Sequence, residues 1–478
     1  MADPLHDAAA AGATLGQVFA ASGGYLDSLG DRPVLDHPAL GLLAGLGGPL
    51  PEEGAGSAAT VGRLLEIGTA AATASSGPRF FHLVTGGVTP AAMAADWTAA
   101  LLDQNAYGKV SSPFATEAET VAIDWLRDLF GLPVGWGGAL VQSATFANFT
   151  GLGCATQWWG ERHGADTVRD GLAGLPRMPV LSGGYVHASA RKALQMLGHG
   201  RDTVEVFAAD AVGRADLDGM RRRLVELDGA PAVIIANAGE VNAGDFDPIG
   251  ALADLAAEHR AWLHVDGAFG LFATLSPRTA HLTAGIERAD SIGADGHKWL
   301  NVGYESGFAL LRDPARLGAA FGMPGAPYLP SGGDPMGGHA LTGPESSRRA
   351  RALPIWATLA AYGRDGYRRM VERHLDLAQH LARRIDETPG LERLAEVPLC
   401  VVCFRARPDG VADADLDDFN RRLGAALIAD GRVFAGTTVY GGRVALRPAI
   451  VNWRTTESDL DLFLEVVREL AEILRTDS

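Results

Sequence analysis

The sequence predicts an α/β protein in which a mostly parallel β-sheet lies between helices, followed by a smaller α/β domain. Three observations carry that reading. From about residue 117 to residue 300, short apolar runs alternate with amphipathic stretches of helical period. Two of those runs, VIIANAG and WLHVDG, are nearly all apolar up to their C-terminal ends, as expected of parallel strands covered on both faces. The chain is also long: 478 residues, 47% hydrophobic and 21% charged, suffice for two or three domains with a large core.

The elements follow in order. The first 75 residues are rich in Ala, Gly and Leu and break at GGPLPEEGAGS (47–57), which gives helical pieces joined by a loop, an N-terminal arm over 1–75. EAETVAIDWLRDLFG is an amphipathic helix ending at Gly131. GALVQS is a strand, and FANFTGLGCATQWWG the helix behind it. The alternation continues through MPVLSGG and HASARKALQMLG, DTVEVFA and ADLDGMRRRLVEL, APAVIIANAG and PIGALADLAAEHR, to AWLHVDGAFG. These belong to a large domain over 76–360. After RRARALPIW a helix runs to about Glu387. Strands in LCVVCFRA and RVALRPAIV, with two further helices, make a small C-terminal domain over 361–478.

Composition excludes several functions. A formal charge of −16 disfavours nucleic acid and anionic lipid as partners. No run of about 18 uncharged apolar residues is present, so no membrane span is expected. MADPLHDAAAAGATLGQ has no basic leader, and three cysteines fit a reducing compartment, so the expected location is cytoplasmic. Cys400 and Cys403 form a C-x-x-C, but VPLCVVCFRAR reads as a buried strand that sends the two side chains to opposite faces. Phosphate-loop, G-x-G-x-x-G and H-E-x-x-H signatures are absent, which disfavours a nucleotide cofactor and leaves no expected metal site.

The densest chemistry lies in HVDGAFG (264–270) and DSIGADGHKWLNVGYESG (290–307). Asp266 ends an apolar strand, at the edge where such sheets place ligands, and a carboxylate there needs a cation. Only three of the 41 basic residues are lysines. Lys109 in a polar loop and Lys192 on an amphipathic helix read as solvated. Lys298, between His297 and Trp299 after a short strand, suits Schiff-base chemistry; a structural ion pair with Asp266 is the competing reading.

These blocks, with FFHLVTGGVTPAAMAADW, SSPFATEAETVAIDW, SATFANFTGL, VHASARKALQMLG, AGEVNAGDFDPI, SRRARALPIW and LRPAIVNWRTTESDLD, resemble the group II pyridoxal-5′-phosphate-dependent amino acid decarboxylases over roughly residues 75–475. That family includes aromatic amino acid and glutamate decarboxylases, and its bacterial branch looks nearest. The resemblance implies a fold-type-I enzyme, a homodimer with shared active sites and the arm exchanged, and pyridoxal 5′-phosphate as cofactor. Lys298 would carry the cofactor, Asp266 would pair with its ring nitrogen, His187 would stack on the ring and Ala268 would pack against it. Ser143, Ala144 and Thr145, at a helix N-terminus, would bind the phosphate, with His297 and Ser291 as further candidates. Thr85, His82, Leu83 and Tyr107 would line the substrate pocket. Arg447 would lie near the substrate carboxylate, with a structural salt bridge as the alternative.

Three departures from the family pattern stand out. Glu240 and Val241 replace hydroxyl residues in NAGEVNAG. The aromatic residues that grip aromatic substrates are replaced in Phe81–Thr85, leaving Tyr107 as one aromatic wall. The loop SGGDPMGGHALTGPESSRR (331–349) lacks the tyrosine that protonates Cα, leaving His339 near that place and Tyr328 upstream. The expected reaction is decarboxylation of an amino acid. Its alternative is decarboxylation coupled to oxidative deamination by O2, as in family members with that tyrosine substituted.

Overall fold

The computed structural model describes residues 3–323, 338–339 and 342–476. The arm is helical, with α1 (Pro4–Asp7), α2 (Ala11–Ser28) and α3 (Ser57–Ala71). None of the residues of α2 is buried, and its Leu15 and Phe19 are exposed. Next come α4 (Pro90–Leu102) and α5 (Pro113–Leu129). Both start at a hydroxyl residue followed by proline: Thr89 accepts from the Ala92 amide and Ser112 from the Ala115 amide. Such a cap satisfies a first-turn N–H, and proline there sacrifices no intrahelical bond.

Seven strands form the main sheet: β2 (Gly137–Val141), β3 (Val180–Ser182), β4 (Val204–Val206), β5 (Val233–Asn237), β6 (Trp262–Asp266), β7 (Ser291–Asp295) and β8 (Gly307–Leu311), with β1 (Phe80–Phe81) lying outside it. Their order is β2-β8-β7-β6-β5-β3-β4. Neighbours from β4 to β7 are parallel, and β8 runs antiparallel to both β7 and β2. The C-terminal ends of β2, β5, β6 and β7 therefore share one edge. Between the strands run α6 (Ala144–Arg162), α7 (Thr167–Asp170), α8 (Ala188–Met196), α9 (Leu217–Glu226) and α10 (Ile249–His259), and α11 (Ala315–Phe321) follows β8.

The sheet separates two cores. Ile234 and Ala236 of β5 with Leu263 and Val265 of β6 face α5, α9 and α10; Val233, Ile235 and Trp262 face α6 and α8. This is the period-two alternation of a strand. It also means that WLHVD is apolar on one face only.

The remainder begins with α12 (Ala352–Asp386), kinked where Gly363 leaves helical geometry. Then come β9 (Leu391–Arg393), β10 (Phe404–Ala406), α13 (Leu416–Asp430), β11 (Phe434–Ala435), β12 (Thr437–Tyr440), β13 (Arg443–Leu446) and α14 (Glu457–Thr476). A four-stranded antiparallel sheet, β12-β13-β10-β9, packs Phe404 with Phe419, Leu381 and Phe463 of the helices. Phe80 and Phe81 pair in parallel with β11, so this stretch joins the C-terminal core and not the large one expected from residue 76 onward. The strand expected in LCVVCFRA is shorter than its sequence suggests. Residues 400–403 bond irregularly to 448–450, where Pro448 has no N–H to donate to a ladder. Cys400 and Cys403 are free and buried in different clusters. Among the described residues no helix is long and apolar enough to cross a membrane.

One buried histidine ties α12 to the loop after β7. Trp299 donates from Nε1 to His374 Nδ1 at 2.8 Å, and His374 Nε2 donates to the Asn452 carbonyl at 3.0 Å. The ring is fully buried and neutral, with its pKa pushed down to about 3 by desolvation. Below the ordinary histidine pKa the unfolded chain takes up a proton that the folded chain refuses, so stability falls as pH falls. The penalty of His374→Leu at pH 7 is therefore expected to shrink by roughly 3 kcal/mol at pH 4, read by urea denaturation at both pH values.

Candidate functional site

Asn237, Asp266 and Asp295 end β5, β6 and β7 side by side at the shared edge. There they line a cavity of about 200 Å³, together with Ser143, Ala144, Thr145, Tyr185, His187, Ala268, His297 and Lys298. An edge of this kind collects polar side chains because the strands stop and the connecting loops open a crevice.

Lys298 Nζ lies 3.0 Å from Asp295 Oδ2 and 5.7 Å from the centre of the Phe269 ring. Its ion-pair partner is thus Asp295, three residues back across the turn, and not Asp266. Asp295 is almost fully buried and also accepts the Ala144 amide. Asp266, also buried, has neutral donors among the described residues: Asn148 Nδ2 at 2.8 Å, the Ala268 amide at 3.2 Å and Ser189 Oγ at 3.5 Å. Its charge is held in place but not cancelled, which suits a cationic group in the cavity.

His187 is the N-cap of α8, where its Nδ1 accepts the Ser189 amide and its Nε2 therefore carries the proton. The ring stays open to solvent, and partial enclosure pushes its pKa down against the pull of Asp266. His297 donates from Nδ1 to the Ser306 carbonyl at 2.9 Å, and burial likewise lowers its pKa. Its ring stacks on Tyr304 at 4.4 Å, and Tyr304 meets Thr85 Oγ1 at 3.1 Å.

The first turn of α6 forms the third wall. Ser143 caps it in extended geometry without a side-chain bond. First-turn amides have no intrahelical acceptor, and the helix dipole favours an anion there. The turn is set from below by Gly307, where a Cβ would lie 2.5–2.8 Å from the Ser143 backbone.

The remaining sequence-derived candidates are more dispersed. Thr85 is buried beside Tyr304, while Leu83 is exposed. Arg447 is buried and donates to the Leu83 carbonyl at 2.7 Å. It has no carboxylate within ion-pair distance among the described residues, and the Glu240 carboxylate acts on it at longer range. His82 faces a different cavity of about 600 Å³, between residues 73–82 and α13. Ser291 sits at the far end of β7, bonded to His264 and Trp262, and cannot reach the α6 turn. Tyr107 and His339 do not line the Lys298 cavity; His339 Nε2 lies 3.1 Å from Thr120 Oγ1 on α5. Tyr328 lies outside the described residues. Glu240 and Val241 do line the cavity, with the Glu240 carboxylate accepting the Asn242 and Ala243 amides.

Sequence reasoning assigned no role to Asp295, Asn148, Tyr185 or Tyr304. Only Asp295 carried a usable signal, since it ends its strand as Asp266 ends the one beside it. Together the cavity offers one amine, the Asp266 carboxylate at a strand end, an open imidazole and a helix N-terminus. Such a set can hold a phosphorylated, cationic ring and bond a carbonyl carbon.

The pyridoxal-dependent decarboxylase conserved domain matches residues 65–407. The L-2,4-diaminobutyrate decarboxylase of Rhizobium meliloti (strain 1021) is 32% identical over 444 residues, 90% of this chain and 85% of that protein. The aromatic-L-amino-acid decarboxylase of Bacillus atrophaeus is 28% identical over 402 residues, 83% of this chain and 81% of that protein. The crystal structure of Oryza sativa TDC with PLP and tryptamine superposes with a TM-score of 0.89 at 25% identity, covering 99% of this chain and 100% of that one.

Because the Ser143 backbone has no room to move away from a new Cβ, Gly307→Ala is expected to displace the α6 turn. Titration with inorganic phosphate, followed by the Thr145 amide NMR resonance, should show at least tenfold weaker binding than in the unaltered chain.

Proposed function

The chain belongs to the pyridoxal-dependent decarboxylase family, a premise from which we propose how its residues remove the α-carboxyl group of an amino acid. It is a pyridoxal 5′-phosphate-dependent carboxy-lyase of fold type I. Bound cofactor supplies the sink for the electron pair left when the Cα–carboxyl bond breaks. The observation that carries the residue assignment is the convergence of the Lys298 amine, the Asp266 carboxylate and the first turn of α6 on one cavity.

Lys298, the amine in the cavity, would hold the cofactor at its aldehyde carbon, with Asp295 beside it. Asp266, oriented by neutral donors, keeps a proton on the ring nitrogen. Ser143 and Thr145 would hold the phosphate with their backbone amides, Ala144 would line the same turn with its amide given to Asp295, and His297 would border it. His187 and Ala268, which both line the cavity, would pack against the ring. Arg447, buried and in no ion pair within 4 Å among the described residues, would orient the substrate carboxylate, and Thr85 and Leu83 would border the substrate's path. The reaction consumes one amino acid and one proton and yields one amine and CO2; His339 or Tyr328 returns the proton to Cα.

The working form is a homodimer with shared active sites. Tyr107 and His339 lie away from the cavity of their own chain. Leu15 and Phe19 of α2 with Trp97 and Leu101 of α4 line an apolar groove of about 1130 Å³ that a second copy would cover. The free, buried cysteines agree with a cytoplasmic location. A second reading, decarboxylation with O2 to an aldehyde, ammonia and H2O2, rests on the absence of tyrosine from residues 331–349.

With an amino acid found by screening for CO2 release, one amine is expected per CO2 in air and under argon alike. Stoichiometric aldehyde and peroxide in air would establish the second reading instead. Lys298→Ala should lose the shift in absorbance that added pyridoxal 5′-phosphate undergoes on bonding to a lysine, and all CO2 release. Leu15→Asp with Phe19→Asp is expected to shift the protein to monomer in light scattering and to cut turnover at least tenfold.

A further inference from the structure

Trp262, His264 and Asp266 occupy alternate positions of β6, so all three side chains point to the face covered by α6. There they form one unbroken hydrogen-bonded chain. Asp266 Oδ2 accepts from Asn148 Nδ2 at 2.8 Å; Asn148 Oδ1 meets His264 Nε2 at 3.0 Å. His264 Nδ1 meets Ser291 Oγ at 2.8 Å, and Ser291 Oγ accepts from Trp262 Nε1 at 3.0 Å. Asn148, His264 and Ser291 are completely buried.

The direction of every bond follows from the two ends. An ionised Asp266 only accepts, so Asn148 must present its NH2 to it and its carbonyl to His264. Nε2 of His264 then carries the proton, Nδ1 is bare, and Ser291 must donate to it. Trp262, which can only donate, closes the far end. The backbone has been cleared for this chain. A Cβ at Gly151 would lie 2.7 Å from His264 Nδ1, and one at Gly293 would lie 2.7 Å from Asn148 Oδ1. Burial disfavours a charged imidazole, so His264 stays neutral and does not cancel Asp266.

We propose that His264, with Asn148 and Ser291, is a positioning residue that holds Asp266 aimed at the cofactor ring nitrogen. This rests on the assignment of Asp266 to that nitrogen made above. A histidine that merely filled the core would tolerate either ring tautomer. This chain tolerates one, because reversing it would set the Asn148 carbonyl against the Asp266 carboxylate. Aligned donors polarise one another in a low-dielectric interior, so the bond that Asn148 gives Asp266 is strengthened by bonds Asp266 does not itself make.

The test uses pyridoxal 5′-phosphate labelled with ¹⁵N at the ring nitrogen, bound to the full-length protein and read by NMR at pH 8. In His264→Phe the unprotonated fraction of that nitrogen is expected to rise at least tenfold and kcat to fall at least tenfold, with thermal unfolding showing a folded protein. His264→Gln, whose amide N–H reaches the level of Nε2, should recover most of both. An unchanged ring-nitrogen signal in folded, cofactor-loaded His264→Phe overturns the proposal while leaving the cofactor assignment intact. Failure of the unaltered protein to bind the labelled cofactor would overturn the assignment itself. Should His264→Phe not fold, ¹⁵N-histidine spectra of the unaltered apoprotein decide: a neutral Nε2–H ring at position 264 supports the chain, and an Nδ1–H or charged ring overturns it.

Discussion

Two carboxylates buried at the ends of adjacent strands are the constraint on which the site is built. Asp266 and Asp295 end β6 and β7, and ionised carboxylates in such a place repel and cost several kcal/mol unless satisfied. The fold answers each differently. Asp295 receives a cation, Lys298, and the Ala144 amide at the start of α6. Asp266 receives neutral donors only. One charge is spent inside the protein and the other is kept for a ligand. The same helix serves both, since α6 gives its first amide to Asp295 and Asn148, one turn on, to Asp266. Any shift of α6 against the sheet would disturb the phosphate turn, the lysine's partner and the Asp266 support together.

Close approach between α6 and the sheet is what makes this sharing possible. Gly151 on the helix and Gly293 on β7 remove side chains where His264, Ser291 and Asn148 need space. Opposite faces of the same strands carry Leu263, Val265 and Ile292 into a wholly apolar core. Apolar packing on one face fixes the strands rigidly, and the polar face then holds its bonds without rearrangement.

Much of this was legible in the sequence, and the losses have definite causes. The α/β alternation, the helix ending at Gly131 and the strand-end position of Asp266 could be read from period and punctuation alone. Lys298 stood out because arginine fills nearly every other basic position. The partner of Lys298 was misplaced because sequence order shows that two carboxylates end strands, not which one a turn folds the lysine over. His264 was passed over because five nearly apolar residues read as a strand buried alike on both faces. Ser291 was assigned to phosphate because polarity marks a residue as polar without showing which end of its strand faces the crevice. The strand through Cys400 was drawn too long because the interruption comes from Pro448, distant in sequence.

Tyr107, His339 and His82 are separated from the Lys298 cavity for a reason of another kind. The groups that would hold the cofactor come from β6, β7, α6 and α8, all packed into one sheet of one chain. Their mutual positions are set by a core that folds as a unit. The residues expected to touch the substrate side chain lie elsewhere, Tyr107 between α4 and α5, His339 against α5 and His82 beside α13. In the homodimer proposed above those segments would meet a second chain. Bond breaking would then depend on geometry internal to one chain, and choice of substrate on the junction between two. A substitution in the sheet edge would therefore impair every substrate alike, whereas one at the arm or in the loop before Arg348 would change which amino acid is accepted.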